Sequence, residues 1–281
     1  MTDLDASSLF NVKGLVAVVT GGGTGIGLMI AQALEANGAI VYILGRREEV
    51  LKEAAATAKH GNIHTFKADV TSKSDLAAAA DYVDAKSGYV NLVVANSGVN
   101  GPTIRDLKQD ATLTEFRDYL WNWDADACNE TYAVNATGAF FTVVAFLELL
   151  DKGNKAGNVE QMSQAICVSS AGAFSRVLSS GYPYAGSKAA IIHIMKQLAT
   201  RLAPYGIRSN VLAPGYFPSE MTSNLGLKEK YPRDFLPQER NGDKKDIAGA
   251  MLFLAGRSGA YINGNVLLVD GGRLSVLPAT Y

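Results

Sequence analysis

Short apolar runs, each followed by a longer stretch of helical character, recur along nearly the whole chain and restrict the possible folds. Most runs are continuously apolar rather than alternating, which indicates strands that are buried on both faces of a parallel sheet. Strands that alternate with helices in this way are typical of an α/β fold with a doubly wound parallel sheet and helices on both faces, a Rossmann-like architecture. We interpret seven runs as strands: Leu15–Thr20, Ile40–Leu44, Ile63–Phe66, Leu92–Ala95, Ala165–Ser169, Ser209–Leu212 and Val266–Val269.

The chain has 281 residues and shows no internal repeat, low-complexity segment or linker. Because α/β folds of this length are routinely one domain, we predict a single domain over residues 1–281. Residues 1–13 are expected to form a short N-terminal tail. Residues 216–240 contain Tyr231, Phe235 and three prolines, and we expect this stretch to be the substrate-binding loop region.

Charge and cysteine content argue against several classes of protein. The formal net charge is −1, which gives no general electrostatic reason to bind nucleic acid or an anionic membrane. No run approaches the roughly 18 apolar residues of a membrane span, and the N-terminus does not resemble a secretory signal. Cys128, Cys167 and the scattered histidines form no disulfide or metal-binding pattern, so we expect no metal and a cytoplasmic location.

Five glycines cluster directly after the first strand. The segment Gly21-Gly22-Gly23-Thr24-Gly25-Ile26-Gly27 follows Thr20 and precedes an amphipathic helix. Glycines let the backbone approach a ligand closely, and the N–H groups at a helix N-terminus attract phosphate. A purely structural turn is the alternative, but the place of the segment in the first strand–turn–helix unit favours a dinucleotide. The predicted contacts are Gly21, Thr24, Gly25, Ile26 and Gly27.

The second strand ends in Leu44-Gly45-Arg46-Arg47, without the carboxylate that usually binds the ribose of NAD at this position. An arginine there matches a 2′-phosphate through charge-assisted hydrogen bonds. A solvated basic turn is the competing explanation. Because a 2′-phosphate would lie next to the end of this strand, we predict NADP(H) as cofactor, with Arg46 as the first choice of ligand.

Tyr184 and Lys188 lie four positions apart in a stretch of helical character, so their side chains share one helix face. A free tyrosine has a pKa of about 10, and a neighbouring ammonium favours its phenolate form. Such a pair can pass a proton to or from a substrate oxygen while hydride moves to or from a nicotinamide. The spacing by itself is common, and its value depends on the surrounding motifs.

From Leu15 to Gly272 the chain resembles the short-chain dehydrogenase/reductase family. The motifs that carry the likeness are the glycine segment with Thr20, Gly21, Gly25 and Gly27, and the Tyr184–Lys188 pair. Two further stretches, Tyr182–Lys188 and Ala213–Thr222, are similar to 3-oxoacyl-type and secondary-metabolite reductases. The resemblance implies an enzyme that interconverts a ketone or oxo group and a secondary alcohol of a small molecule. A non-catalytic dinucleotide sensor on the same fold is the alternative.

The resemblance also implies roles for residues that alone would pass for caps and turns. Asn135 would help to hold a water molecule that connects Lys188 to solvent. Ser170 would bind the substrate carbonyl, with Ser169 as the alternative because Ser170 lies slightly farther from Tyr184 than is usual in the family. The further cofactor contacts that the family implies are Asp69, Val70, Asn96, Ser219 and Thr222, together with Tyr184 and Lys188.

The helices after Asn135 and Tyr184 carry large apolar residues on nearly all sides. One sheet face covers only one stripe of a helix, so a second subunit or deeper burial within the chain must cover the rest. We expect a homo-oligomer with Phe146 in the middle of its interface, and the family resemblance favours a tetramer over a dimer. Between Asn96 and Asn135 the chain is longer than is usual in the family, and the extra segment includes Thr112–Glu130, with Trp121 and Trp123. We predict that this insertion lines a substrate mouth, packs in the core or forms an interface.

Overall fold

All seven predicted strands are present in a single parallel sheet. The computed structural model describes residues 4–177 and 180–281. Its strand order is β3-β2-β1-β4-β5-β6-β7, and each strand ends within two residues of its predicted bounds. The strands are β1 Val16–Thr20, β2 Ile40–Gly45, β3 Ile63–Lys67, β4 Leu92–Ala95, β5 Gln164–Val168, β6 Arg208–Pro214 and β7 Val266–Val269.

Helices cover both faces of the sheet and complete a single Rossmann-like domain. The α-helices are α1 Ala6–Leu9, α2 Gly25–Ala36, α3 Glu48–Ala56, α4 Lys73–Ser87, α5 Leu113–Trp121, α6 Ala125–Tyr132, α7 Ala139–Ala145, α8 Leu147–Ala156, α9 Tyr182–Leu202 and α10 Lys244–Ala255. A π-helical turn spans Ala133–Gly138. Short 3-10 turns span Ala171–Ala173, Ala203–Tyr205, Glu220–Leu225, Arg257–Gly259 and Arg273–Ser275.

Burial on both faces explains why the strands are continuously apolar. In β1, Ala17 and Val19 pack into the cluster that contains Ile30 of α2 and Met251 of α10. Val16 and Val18 pack on the opposite face, in the cluster with residues of α4 and α8. Every residue of β1 is therefore buried, and none of its positions allows a polar side chain to reach solvent.

The helix predicted after Asn135 is not one straight helix. The π turn Ala133–Gly138 leads into α7, and the chain then bends by 44° before α8. Phe146 lies at the bend and is 0% exposed. Most of the apolar surplus on these helices is thus covered by the chain itself. The solvent-facing side of α9 is polar, with His193 and Lys196 exposed.

The N-terminal segment packs on the domain, whereas part of the insertion faces solvent. Residues 1–3 of the predicted tail lie outside the described residues, but α1 approaches Gly256 and Val12 is buried. No single helix in the described ranges is long and apolar enough to span a membrane. Only the bent pair Ala125–Ala145 and Leu147–Ala156 meets that test in combination. In the insertion, Trp121 at the end of α5 is 85% exposed.

Candidate active site

A cleft of about 600 Å³ opens at the carboxyl ends of the strands. It lies where the strand order reverses between β1 and β4, which is the position at which doubly wound sheets bind ligands. Eleven of the predicted site residues line it: Gly21, Thr24, Gly25, Ile26, Arg46, Asp69, Val70, Asn96, Tyr184, Lys188 and Ser219. The topology thus brings together residues from one end of the chain to the other.

The glycine segment forms a tight turn that larger residues could not adopt. Gly21 and Gly25 have φ values of 64° and 51°, in the left-handed region that favours glycine. A methyl group on Gly27 would lie 2.2 Å from the Gly21 carbonyl oxygen. Gly27 therefore allows α2 to pack against the turn and, unlike the other four predicted residues of the segment, does not line the cleft.

Asn96 fixes the glycine turn from the neighbouring strand. Its side-chain amide donates to the Thr20 carbonyl oxygen at 2.9 Å and to the Gly21 carbonyl oxygen at 3.3 Å. The Thr20 hydroxyl accepts hydrogen bonds from the backbone N–H groups of Asn96 and Ser97. Asn96 thus lines the cleft and also holds β1 and β4 together at the switch point.

Two arginines stand at the end of the cleft beside β2. Arg46 is exposed and lines the cleft. Among the described residues, it makes no hydrogen bond or ion pair. Arg47 also lines the cleft, but its guanidinium pairs with Glu220 at 2.7 Å. Arg46 is therefore the cation that is available to an anionic ligand, while a carboxylate already neutralises Arg47.

Tyr184 and Lys188 lie in the first turns of α9. Gly181, with φ 85°, precedes this helix, and Pro183 stands in its first turn, where a missing N–H group costs nothing. The Lys188 ammonium donates to the Val168 carbonyl oxygen at 2.9 Å and lies 5.8 Å from the centre of the Tyr184 ring. Lys188 is 3% exposed, so its charge is held beside the tyrosine.

Asn135 is fully buried in the π turn. Its side-chain oxygen accepts from the Val99 N–H at 2.8 Å, and its amide donates to the Val99 carbonyl oxygen and to the Ser187 hydroxyl, both at 3.0 Å. Asn135 thus clamps the loop after β4 to the start of α9. A methyl group on Gly98 would lie 3.2 Å from the Asn135 oxygen and 3.4 Å from the Lys188 ammonium, which places Asn135 directly behind the lysine.

The geometry separates the two serine candidates at the end of β5. The Ser169 hydroxyl is buried and donates to the Lys188 carbonyl oxygen at 2.8 Å. The Ser170 hydroxyl accepts from the Gly172 N–H at 3.0 Å. A methyl group on Gly172 would lie 3.3 Å from the Ser170 oxygen and 3.7 Å from Tyr184 Cε1. Ser170 is therefore the serine that shares a space with the tyrosine.

That space is a smaller side pocket of about 110 Å³ next to the cleft. Tyr184, Asn100 and Met221 line both the cleft and the pocket. Ser170 and Tyr184, the residues predicted to contact the substrate oxygen, both line this pocket. Thr222 was predicted to contact the cofactor, but it lines the side pocket and not the cleft. Tyr216 belongs to the predicted substrate-binding loop region 216–240. Sequence reasoning missed the other polar and charged lining residues, which are Asn100, Arg105, Ser175, Ser180 and Arg273. They come from segments far apart in the chain, and no motif marks them.

The first residues of the predicted loop region 216–240 line both of these spaces. Ser219 lines the cleft and Thr222 lines the side pocket. The Thr222 hydroxyl donates to the Phe217 carbonyl oxygen at 2.7 Å and accepts from the Ser219 N–H at 2.8 Å. Thr222 thus shapes the loop through its side chain. Neither tryptophan of the insertion lines the two spaces, and Trp123 instead contacts Tyr182 at the start of α9.

The cleft fits a dinucleotide. Backbone N–H groups at the start of α2 and the glycine turn form a cradle for phosphates, and Ser219 stands 3.0 Å from where a side chain on Gly25 would begin. Within the described ranges, no group of three or more histidine, cysteine, aspartate or glutamate side chains could hold a metal ion.

Comparison with known proteins agrees with this geometry. The sequence model of a family described as Enoyl-(Acyl carrier protein) reductase matches residues 21–273. The short-chain dehydrogenase/reductase PhomF of Diaporthe leptostromiformis is 50% identical over 285 residues, which cover 99% of this chain and 97% of the relative. The chain belongs to the short-chain dehydrogenase/reductase family. It is also 30% identical to a rhamnolipids biosynthesis 3-oxoacyl-[acyl-carrier-protein] reductase of Pseudomonas aeruginosa, over 94% of this chain and 97% of the relative.

Solved structures of the family share the fold over nearly the whole chain. The RhlG/NADP active-site complex of Pseudomonas aeruginosa is 29% identical with a TM-score of 0.79, and covers 94% of this chain and 98% of the other. A gluconate 5-dehydrogenase of Burkholderia cenocepacia J2315, in complex with NADP and tartrate, is 27% identical with a TM-score of 0.81, and covers 96% and 99%. As a member of this family, the present chain is an oxidoreductase, and it is therefore an enzyme rather than a non-catalytic sensor.

Proposed function

We propose that this enzyme uses NADP(H) to interconvert a ketone or oxo group and a secondary alcohol. One observation carries the proposal. Tyr184 lines both the dinucleotide cleft and the side pocket, so its hydroxyl stands where a cofactor and a substrate would meet.

Each polar side chain around that point has a distinct part in the chemistry. A bound reduced nicotinamide supplies the hydride. Tyr184 donates its phenolic proton to the substrate oxygen as negative charge develops there. The Lys188 ammonium, 5.8 Å from the centre of the Tyr184 ring, attracts the negative charge that develops on the tyrosine oxygen as the proton leaves. Ser170 orients the carbonyl oxygen by a hydrogen bond. Asn135 holds the loop after β4 against the start of α9, the helix that carries Tyr184 and Lys188.

The preference for NADP(H) over NAD(H) rests on the end of β2. Arg46 has no carboxylate partner among the described residues and lines the cleft. A guanidinium forms strong, charge-assisted hydrogen bonds with a phosphate. The NADP complexes of the two structural relatives support the same choice.

The reaction is tested by following NADPH consumption with a panel of ketones, quinones, 3-oxoacyl thioesters and matched enones. We expect turnover of at least one carbonyl class, with the secondary alcohol as the product. Consumption with the enones alone, yielding a saturated ketone, would show C=C reduction and refute carbonyl reduction. NADH is run in parallel to compare the cofactors.

We further propose a homo-oligomer, either a tetramer or a dimer, in the cytoplasm. Tyr132, Val144 and Tyr182 remain exposed on or near the helices that were expected at an interface, and a second subunit would bury such apolar side chains. Both cysteines are free thiols, which suits a reducing compartment. Light scattering measures the oligomeric state, and fluorescent tagging in the source cell measures the location.

A further inference from the structure

Arg273 gives the side pocket a positive charge that the reaction chemistry does not use. Arg273 lines the pocket together with Tyr184 and Ser170. Arg105 is a second cation in the lining, and none of the described lining residues is an aspartate or glutamate. A substrate that enters this pocket therefore meets a cationic wall.

Arg273 also differs in its partners from two arginines of the loop region 216–240. Arg233 pairs with Glu239 and Arg240 pairs with Asp246. Among the described residues, the side chain of Arg273 makes a single hydrogen bond, from Nη1 to the Phe235 carbonyl oxygen at 2.7 Å. A guanidinium has five N–H donors, so most of its hydrogen-bonding capacity is left for a ligand.

A stack of aromatic rings holds the guanidinium in place. Arg273 Cζ lies 4.0 Å from the centre of the Phe235 ring. The rings of Tyr216, Tyr231 and Phe235 are parallel to within 12°. Because the fork is oriented before a ligand arrives, little conformational entropy is lost when it binds one.

We propose that the substrate carries a carboxylate, which Arg273 binds while the reacting carbonyl faces Tyr184. This proposal deepens the proposed function and rests on it for the nature of the reaction. A carboxylate matches the planar guanidinium fork. The pocket is small and holds both Tyr184 and Arg273, so the anionic group belongs to the reacting part of the substrate rather than to a distant carrier.

The test compares two ligands that differ only in charge. Isothermal titration of the enzyme saturated with NADP⁺ measures the affinity for 4-acetylbenzoate and for the neutral 4-acetylbenzamide. We expect the wild type to bind the carboxylate at least about tenfold more tightly. Arg273→Gln should abolish this preference, although its amide can still donate to the Phe235 carbonyl oxygen. Arg273→Lys should keep only part of it.

Arg233→Gln is the matched control, because it removes the same charge from an exposed arginine of the loop region 216–240 that does not line the side pocket. It should keep the preference, and the affinity for NADPH should be unchanged in all variants. Equal binding of the two ligands by the wild type, or a preference that survives in Arg273→Gln, would overturn the proposal. A merely structural role for Arg273 would weaken both ligands equally and would also overturn it.

The binding assay separates this inference from the proposed reaction. The enzyme could show a carboxylate preference that depends on Arg273 and yet consume no NADPH with any ketone. That result would refute carbonyl reduction and support the anion site. Turnover of neutral ketones without any carboxylate preference would support carbonyl reduction and refute the anion site. Tighter binding of 4-acetylphenyl phosphate than of 4-acetylbenzoate through Arg273 would overturn the choice of a carboxylate.

Discussion

The available cation at the end of β2 leads to a quantitative prediction about cofactor choice. Arg46→Ala removes a guanidinium that lines the cleft. Hydrogen bonds to charged groups contribute about 1.5–3 kcal/mol. Because Arg46 is exposed, we expect the lower end of that range, which corresponds to a roughly tenfold weaker affinity for NADPH. The affinity for NADH should change by less than about twofold, since NADH has no 2′-phosphate.

Removing the charge of Glu220 should have the opposite effect on the affinity for NADPH. Its carboxylate pairs with Arg47 beside the cleft, and both side chains are more than half exposed. Such pairs contribute at most about 1 kcal/mol, so Glu220→Gln should cost little stability. The change frees Arg47 and removes a negative charge near the 2′-phosphate. We expect NADPH to bind up to about fivefold more tightly, with little effect on NADH.

Fluorescence titration of both cofactors measures these changes. Glu49→Gln is the control, because Glu49 is an exposed glutamate that pairs with Lys52 on α3 and does not line the cleft. Equal losses for NADPH and NADH in Arg46→Ala would refute the assignment of the 2′-phosphate site. Weaker NADPH binding by Glu220→Gln would refute the electrostatic reasoning.

Three further predictions concern packing and the buried polar groups. Phe146→Ala should lower the free energy of unfolding by about 3–5 kcal/mol. Val144→Glu should lower it by less than about 1 kcal/mol but dissociate the oligomer. Denaturation measures the first effect and light scattering the second, and two variants that behaved alike would contradict this prediction. Asn135→Ala should cost at least about 2 kcal/mol, because it removes three hydrogen bonds of a fully buried amide and leaves both backbone groups of the half-buried Val99 without a protein partner. An unchanged denaturation midpoint would exclude the clamp. Burial raises the pKa of Cys167 to about 11, so mass spectrometry should find Cys128 labelled by iodoacetamide at pH 8 and Cys167 unlabelled, and labelling of Cys167 in the folded enzyme would contradict its burial.

The sheet and the cofactor cleft could be predicted because they depend on local signals. Continuous apolar runs identify strands that are buried on both faces, and parallel pairing then brings all their carboxyl ends to one edge. Residues that directly follow a strand, such as Asn96 after β4 and Asp69 after β3, therefore lie at the cleft without further information. Tyr184 and Lys188 share a helix face for an equally local reason.

Features that depend on tertiary packing could not be predicted. Phe146 was expected in a subunit interface, but the bend between α7 and α8 turns it into the core. That expectation was wrong, because helical periodicity cannot show where a helix breaks. The side pocket is assembled from residues as distant as Asn100 and Leu277, and Arg176 and Thr280 form backbone hydrogen bonds that bring the C-terminus alongside it. No sequence spacing encodes that contact.

The role of Tyr184 is tested most directly by the kinetics of Tyr184→Phe. The Tyr184 hydroxyl makes no hydrogen bond to any described residue, so its removal should cost neither stability nor affinity for NADPH. We expect a fall in kcat of at least about a hundredfold, as for the loss of a general acid, with an NADPH affinity within about twofold of the wild type. A variant that retains more than about a tenth of the wild-type kcat would have lost less than about 1.4 kcal/mol of transition-state stabilisation. That result would contradict proton transfer by Tyr184.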